Sequence, residues 1–110
     1  MKTLLNSLAE PTRWNIVELL KQGPLTVGEI AGKLELRQPQ VSKHLKVLSE
    51  AGIVVVHPIA NRRFYQLNPE PFLELQEWTE SYRHLWEDRF DRLDDYLKKV
   101  QTNGKEDKKL

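Results

Sequence analysis

Apolar residues recur at intervals of three and four along most of this chain, which is the helical period. They run consecutively, as β-branched residues, only near its middle. The spacing predicts a short amphipathic helix over residues 3–9, with Leu4, Leu5 and Leu8 on one side. Glu10-Pro11 breaks it and restarts a second helix over 11–21, with Pro11 in the first turn and Trp14, Ile16, Val17, Leu19 and Leu20 as its apolar set. Gln22-Gly23-Pro24 stops that helix. Thr26, with Glu29 three residues on, reads as a capping box. It opens a third helix to about Leu34 that buries Val27, Ile30, Ala31 and Leu34. After a tight turn at Glu35-Leu36-Arg37 comes a fourth helix. Pro39 suits its first turn, Val41, Leu45 and Leu48 give it one apolar face, and Gly52 ends it.

Two strand-like runs follow, residues 53–56 and 63–67. Ala60-Asn61 suits the turn between them, and Asn61 is the residue expected to take a positive φ. His57-Pro58 is read as the start of that turn, and Arg62 and Arg63 stand at its tip. From Pro69 one long helix runs to about Val100. Leu75, Trp78, Tyr82, Trp86, Phe90, Leu93, Leu97 and Val100 form its apolar stripe, flanked by Glu and Asp. A helix of about 30 residues extends about 45 Å, longer than so small a domain needs to cover itself. The surplus stripe calls for a partner, most simply the same helix of a second copy. Two short helices joined by a tight turn and followed by a basic hairpin form a winged helix-turn-helix. The expected class is thus mainly α with a small β-hairpin wing (α+β), as one DNA-binding and dimerisation domain over 1–100. Residues 101–110 are expected to be a disordered polar tail.

Composition narrows the function. With 110 residues there is room for one core, and no segment approaches the ~18 apolar residues of a membrane span. The first residues lack the apolar run of a signal peptide, so a cytoplasmic protein is expected. There is no cysteine, which removes disulfides, thiolate metal sites and thiol redox sensing. The net charge of +1 conceals an asymmetry: residues 1–68 hold nine Lys/Arg against five Asp/Glu, and residues 69–110 hold eight against eleven. Within 37–63 the basic residues Arg37, Lys43, Lys46, Arg62 and Arg63 face one acidic residue, Glu50. A basic patch on a nearly neutral chain points to nucleic acid.

The fourth helix carries the candidate chemistry. Lys43 points most squarely away from its buried face. Gln38 and Gln40 are able to pair bidentately with adenine edges. Ser42 and His44 lie on the flanks, where phosphates would pass, with Lys46 and Arg37 as further basic contacts. Arg62 and Arg63, on the wing, reach a minor groove or a phosphate. The partner expected is double-stranded DNA. An enzyme is not expected: there is no Gly-rich phosphate loop, and His44 and His57 lack carboxylate neighbours in sequence. Trp78, Tyr82, Trp86, Phe90 and Leu93, with Leu4, Leu5 and Leu8, are assigned to a dimer interface. The alternative for the rings is an apolar ligand pocket at the dimer seam, with Trp14 beside it.

Leu8-Ala9-Glu10-Pro11-Thr12-Arg13, the following Ile16-x-x-Leu19-Leu20, the string Gln38-Pro39-x-Val41-Ser42-x-His44-Leu45-x-x-Leu48-x-x-Ala51-Gly52 and the wing Arg62-Arg63-Phe64-Tyr65-x-Leu67 resemble the ArsR/SmtB family of winged-helix repressors over roughly residues 2–100. The resemblance implies a homodimer paired through its first and last helices. It implies binding to an imperfect inverted repeat, and repression released by an effector. Three positions depart from the family pattern: Arg37 stands where Ser caps the recognition helix, Asn61 where Gly turns the wing, and Glu10 where Asp precedes Pro-Thr-Arg. The Cys-x-Cys of the family's thiolate sensors is absent from 25–30. Of the metal site other members carry on the last helix, His84-x-x-Glu87 matches one half, and Pro71, Phe72 and Leu73 occupy the other. No metal and no cofactor is therefore expected, and the effector is unassigned. Two alternatives stand: a metal-responsive repressor using the carboxylate-rich last helix, and a winged-helix module that binds protein.

Overall fold

A computed structural model describes the backbone of residues 1–109 and the side chains of residues 1–102. The elements run α1 (Lys2–Leu8), α2 (Pro11–Leu20), β1 (Leu25–Thr26), α3 (Val27–Leu34), α4 (Gln38–Glu50), β2 (Val54–Ile59), β3 (Arg62–Leu67) and α5 (Pro69–Lys109). They divide into two compact units, Met1–Leu75 and the residues from Gln76 onward.

The first unit closes on its own core. Ile16, Ile30, Val41, Leu45, Leu48, Ile53 and Val54 lose essentially all contact with solvent, and Leu4, Val17, Leu20 and Ala31 join them. The apolar triad of α4 thus lands where its spacing put it, on one buried face. Leu4, expected at a dimer interface, is taken up by this core at 2% exposure. Leu8 is half-buried against it, and of the three α1 leucines only Leu5 stays exposed.

Local chemistry sets the ends of each element. Glu10 caps α2: its carboxylate accepts the Arg13 backbone N–H at 2.8 Å. The capping box forms as read, the Thr26 hydroxyl accepting from Glu29 N–H at 3.2 Å and the Glu29 carboxylate accepting from Thr26 N–H at 3.4 Å. Glu35 ends α3 at φ 55°, a left-handed conformation that a Cβ makes costly. Leu36 N–H, bonding back to the Ala31 carbonyl at 2.9 Å, holds it there. Arg37 precedes α4 without a side-chain cap, and Gly52 turns away from its end at φ 75°.

The sheet has the order β1-β3-β2, all antiparallel. Three of its features differ from the sequence reading. Leu25–Thr26 adds a third strand, paired to Tyr65 and Phe64. His57 and Pro58 lie inside β2, opposite Phe64 and Arg63, and do not begin the turn. Pro58 is tolerated because β2 is an edge strand, where a missing N–H breaks no inner ladder. The positive φ of the two-residue turn falls on Ala60, at 55°, and not on Asn61.

Asn68 fastens the foot of this hairpin. Its N–H reaches the Ile53 carbonyl at 2.8 Å, and its side-chain amide reaches the Gly52 carbonyl at 2.9 Å. Its side-chain oxygen accepts the Glu70 N–H at the start of α5.

In the second unit α5 continues past the expected end near Val100. Gln101 and Thr102 are helical, the Thr102 hydroxyl donating back to the Lys98 carbonyl at 2.9 Å. The backbone stays helical to Lys109, where a disordered tail is expected, and Leu110 lies outside the described residues. Among the described residues no helix is long and apolar enough to cross a membrane.

Candidate nucleic-acid interface

The buried triad of α4 dictates what the rest of the helix shows. Arg37, Gln38, Gln40, Ser42, Lys43 and Lys46 are all exposed. Donors outnumber acceptors on this surface, which suits base edges and phosphate oxygens. Gln38 lies against the start of α3: its amide nitrogen is 3.4 Å from where a Cβ on Gly28 would sit. Glycine at position 28 leaves that side chain its room.

The two wing arginines part company. Successive strand residues face opposite ways, and Arg62 and Arg63 follow that rule. Arg63 joins Ser42, Lys46, Ser49 and Glu50 around a recess of about 320 Å³, floored by Leu45, Val56 and Tyr65. Arg62 turns to α3 instead. Its guanidinium stands 3.4 Å from the Glu29 carboxylate and 5.4 Å from the centre of the Phe64 ring. The structure thus brings Ser42, Lys46 and Arg63 together and holds Arg62 apart, tied to the residue that caps α3.

His44 is the half-buried member of the set. Its Nδ1 lies 3.7 Å from a Glu10 carboxylate oxygen. The Arg13 backbone N–H holds the Glu10 carboxyl below its ordinary value; the charges of His44 and Arg13 and the Thr12 amide add to this, against an opposing contribution from partial burial. Sequence reading found no carboxylate near His44, because Glu10 lies 34 positions away. The Glu29–Arg62 pair, 33 positions apart, was missed for the same reason.

On α5 the aromatic residues meet in pairs four apart, the first edge-on and the second tilted. Trp78 meets Tyr82 with ring centres at 5.1 Å, and Trp86 meets Phe90 at 6.2 Å. Each stays 42–63% exposed, and together with Thr79, Arg83 and Glu87 they border an open recess of about 740 Å³. Leu93 is likewise exposed. Among the described residues no three His, Asp or Glu side chains cluster closely enough to hold a metal ion. The Glu87 carboxylate, half of the His84-x-x-Glu87 pair, is occupied by Arg83 at 3.3 Å.

Residues 10–56, from the cap of α2 into β2, match the model of the bacterial regulatory protein arsR family. The transcriptional repressor SdpR of Bacillus subtilis is 31% identical over 71% of this chain and 87% of its own length. This chain belongs to the ArsR family. The HTH-type transcriptional regulator Rv2034 of Mycobacterium tuberculosis is 52% identical over 57% of the chain, which spans 59% of that relative's length. The crystal structure of the ArsR family transcriptional regulator RHA00566 superposes with a TM-score of 0.68 at 30% identity, over 78% of this chain and 89% of that one. The fold described above is therefore that of the ArsR-family winged helix-turn-helix regulators, a family of transcriptional regulators and not of enzymes.

Proposed function

We propose that this chain is a cytoplasmic, homodimeric transcriptional repressor that binds an inverted-repeat operator through α4 and the wing, and is released by an effector. One observation carries the reading: Ser42 and Lys46 of α4 and Arg63 of β3 converge on one recess, beside the exposed Gln38, Gln40 and Lys43. A helix that offers donors to a major groove, next to an arginine on a hairpin, matches the docking geometry of winged helices. The exposed stripe on α5, with Leu5 of α1, supports a second copy as partner. Single exposed apolar residues are ordinary, but a run from Trp78 to Val100 on one helix face is not.

The test is a fluorescence-anisotropy titration against the DNA upstream of the gene, with excess non-specific competitor. Dissociation constants of about 10⁻⁸–10⁻¹¹ M, a steep salt dependence and two subunits per site are expected. Binding no tighter than to the competitor refutes the reading.

A further inference from the structure

Arg62 and Arg63 are neighbours in sequence and opposites in placement. Arg63 shares the recess beside α4 with Val56 and Tyr65, whereas His57, Ile59, Phe64 and Gln66 border a second recess on the other face of the hairpin. Arg62 belongs to that second face: its guanidinium stands over Phe64, 5.4 Å from the ring centre.

The end of the wing needs an anchor. β1 pairs only with Tyr65 and Phe64, so the sheet has three strands up to that point and two beyond it. A two-stranded hairpin is marginally stable in water on its own, and two-stranded ribbons twist more strongly than broader sheets. Arg63, paired with Pro58, and the turn at Ala60-Asn61 lie in this two-stranded part. The ladder alone therefore sets the direction of Arg63 only loosely.

Glu29 supplies the anchor. One carboxylate oxygen, Oε1, accepts the Thr26 hydroxyl at 3.0 Å, the Thr26 N–H at 3.4 Å and an Arg62 guanidinium N–H at 3.4 Å. The first two bonds belong to the α3 cap and orient the carboxylate; the third spans 33 positions to reach the wing. Phe64, the ring under the guanidinium, is half-buried and lies opposite Thr26 in the ladder, so it sits in the three-stranded part of the sheet. Carboxylate and ring both hold Arg62 from the better-supported side of the wing.

We propose that Arg62 is a positioning residue and not a DNA contact: its tie to Glu29 and Phe64 braces the wing tip against α3 and so aims Arg63, from the recess it shares with Ser42 and Lys46, at DNA. The inference rests on the DNA-binding reading above. It makes an acidic residue, Glu29, a contributor to the binding of a polyanion. Charge alone gives the opposite sign, since removing a carboxylate from a DNA-binding domain ordinarily tightens binding.

The experiment is an anisotropy titration of the full chain on the duplex upstream of the gene, at fixed salt. It compares Glu29→Gln, Arg62→Gln and the two together, and then each single change in an Arg63→Ala background. Glutamine serves at the same position of a capping box, so Glu29→Gln keeps the α3 cap and loses the charge. Circular dichroism checks that every variant is folded. Glu29→Gln and Arg62→Gln are each expected to weaken binding about threefold, the scale of one exposed ion pair. The two together should lose no more than either alone, and both losses should vanish in the Arg63→Ala background, because the tie acts through Arg63. Tighter or unchanged binding by Glu29→Gln, or a loss from Arg62→Gln that persists in full without Arg63, overturns the proposal while the DNA reading stands. Binding by the unmodified chain no tighter than to non-specific competitor overturns both.

Discussion

The two units of this chain treat their apolar residues in opposite ways. In Met1–Leu75 the aliphatic side chains close on each other, and seven are essentially sealed from water. From Gln76 onward the apolar side chains share one helix face and stay half exposed, with four rings paired two by two along it. The first unit draws its stability from within one chain. The second holds apolar surface that a single chain leaves open, so its stability should depend on concentration. On the function proposed above, the first part would carry the helix that reads DNA and the second would join two copies.

The largest effect should come from breaching the sealed unit. Leu45→Ala removes a fully buried side chain from the back of α4 and should cost about 2–5 kcal/mol, a large share of a total of about 5–15 kcal/mol. Urea denaturation followed by circular dichroism checks it; an unmoved midpoint would mean that this core is not what holds the domain. Next in size is the open unit. Trp86→Ala should weaken self-association by about 2 kcal/mol, roughly 30-fold in the dimer constant, in sedimentation equilibrium. A dimer indifferent to that change would put the interface elsewhere.

The wing sharpens the contrast on a finer scale. Arg63→Ala should weaken DNA binding by about 1 kcal/mol and lower the salt slope by about one. Arg62→Ala should do less, because Glu29 already holds that guanidinium. Equal losses in the two variants would show that the Glu29 tie opens on DNA. The smallest effect is at the start of α4. Arg37→Ser supplies the missing cap and should add about 0.5–1 kcal/mol to stability while slightly weakening DNA binding. A loss of stability would mean that the first turn of α4 is already satisfied by other donors.

What the sequence revealed was whatever repeats or caps locally. The triad Val41, Leu45 and Leu48 and the capping box Thr26–Glu29 are each written within a few positions, and each forms as read. What it hid depends on distance or on competition. The strand Leu25–Thr26 is too short to show a period and exists only because Tyr65 and Phe64 pass beside it. Asn61 has the better intrinsic preference for a positive φ, yet the register of β2 and β3 assigns that conformation to Ala60. Leu4 and Leu5 are indistinguishable in type, and only the packing of α1 sends one inward and leaves the other outside. The same holds for the candidate site. Exposed donors on α4 follow from helical geometry, whereas the separate fates of Arg62 and Arg63 and the Glu10–His44 contact need the fold to bring distant residues together.

Asn68 has a consequence for how such a protein changes over time. By binding the Gly52 and Ile53 carbonyls it closes the wing at its base, as a clasp closes a loop of cord. The tip around Ala60 and Asn61, beyond the core residue Val54 and the β1-paired Phe64 and Tyr65, is then topologically an insert. Doubling the length of a closed loop costs only about 0.6 kcal/mol, so the tip is free to lengthen, shorten or be exchanged without retuning the helices beneath it. Reach into the neighbouring groove is thereby an adjustable trait of this scaffold, separable from the residues that keep it folded.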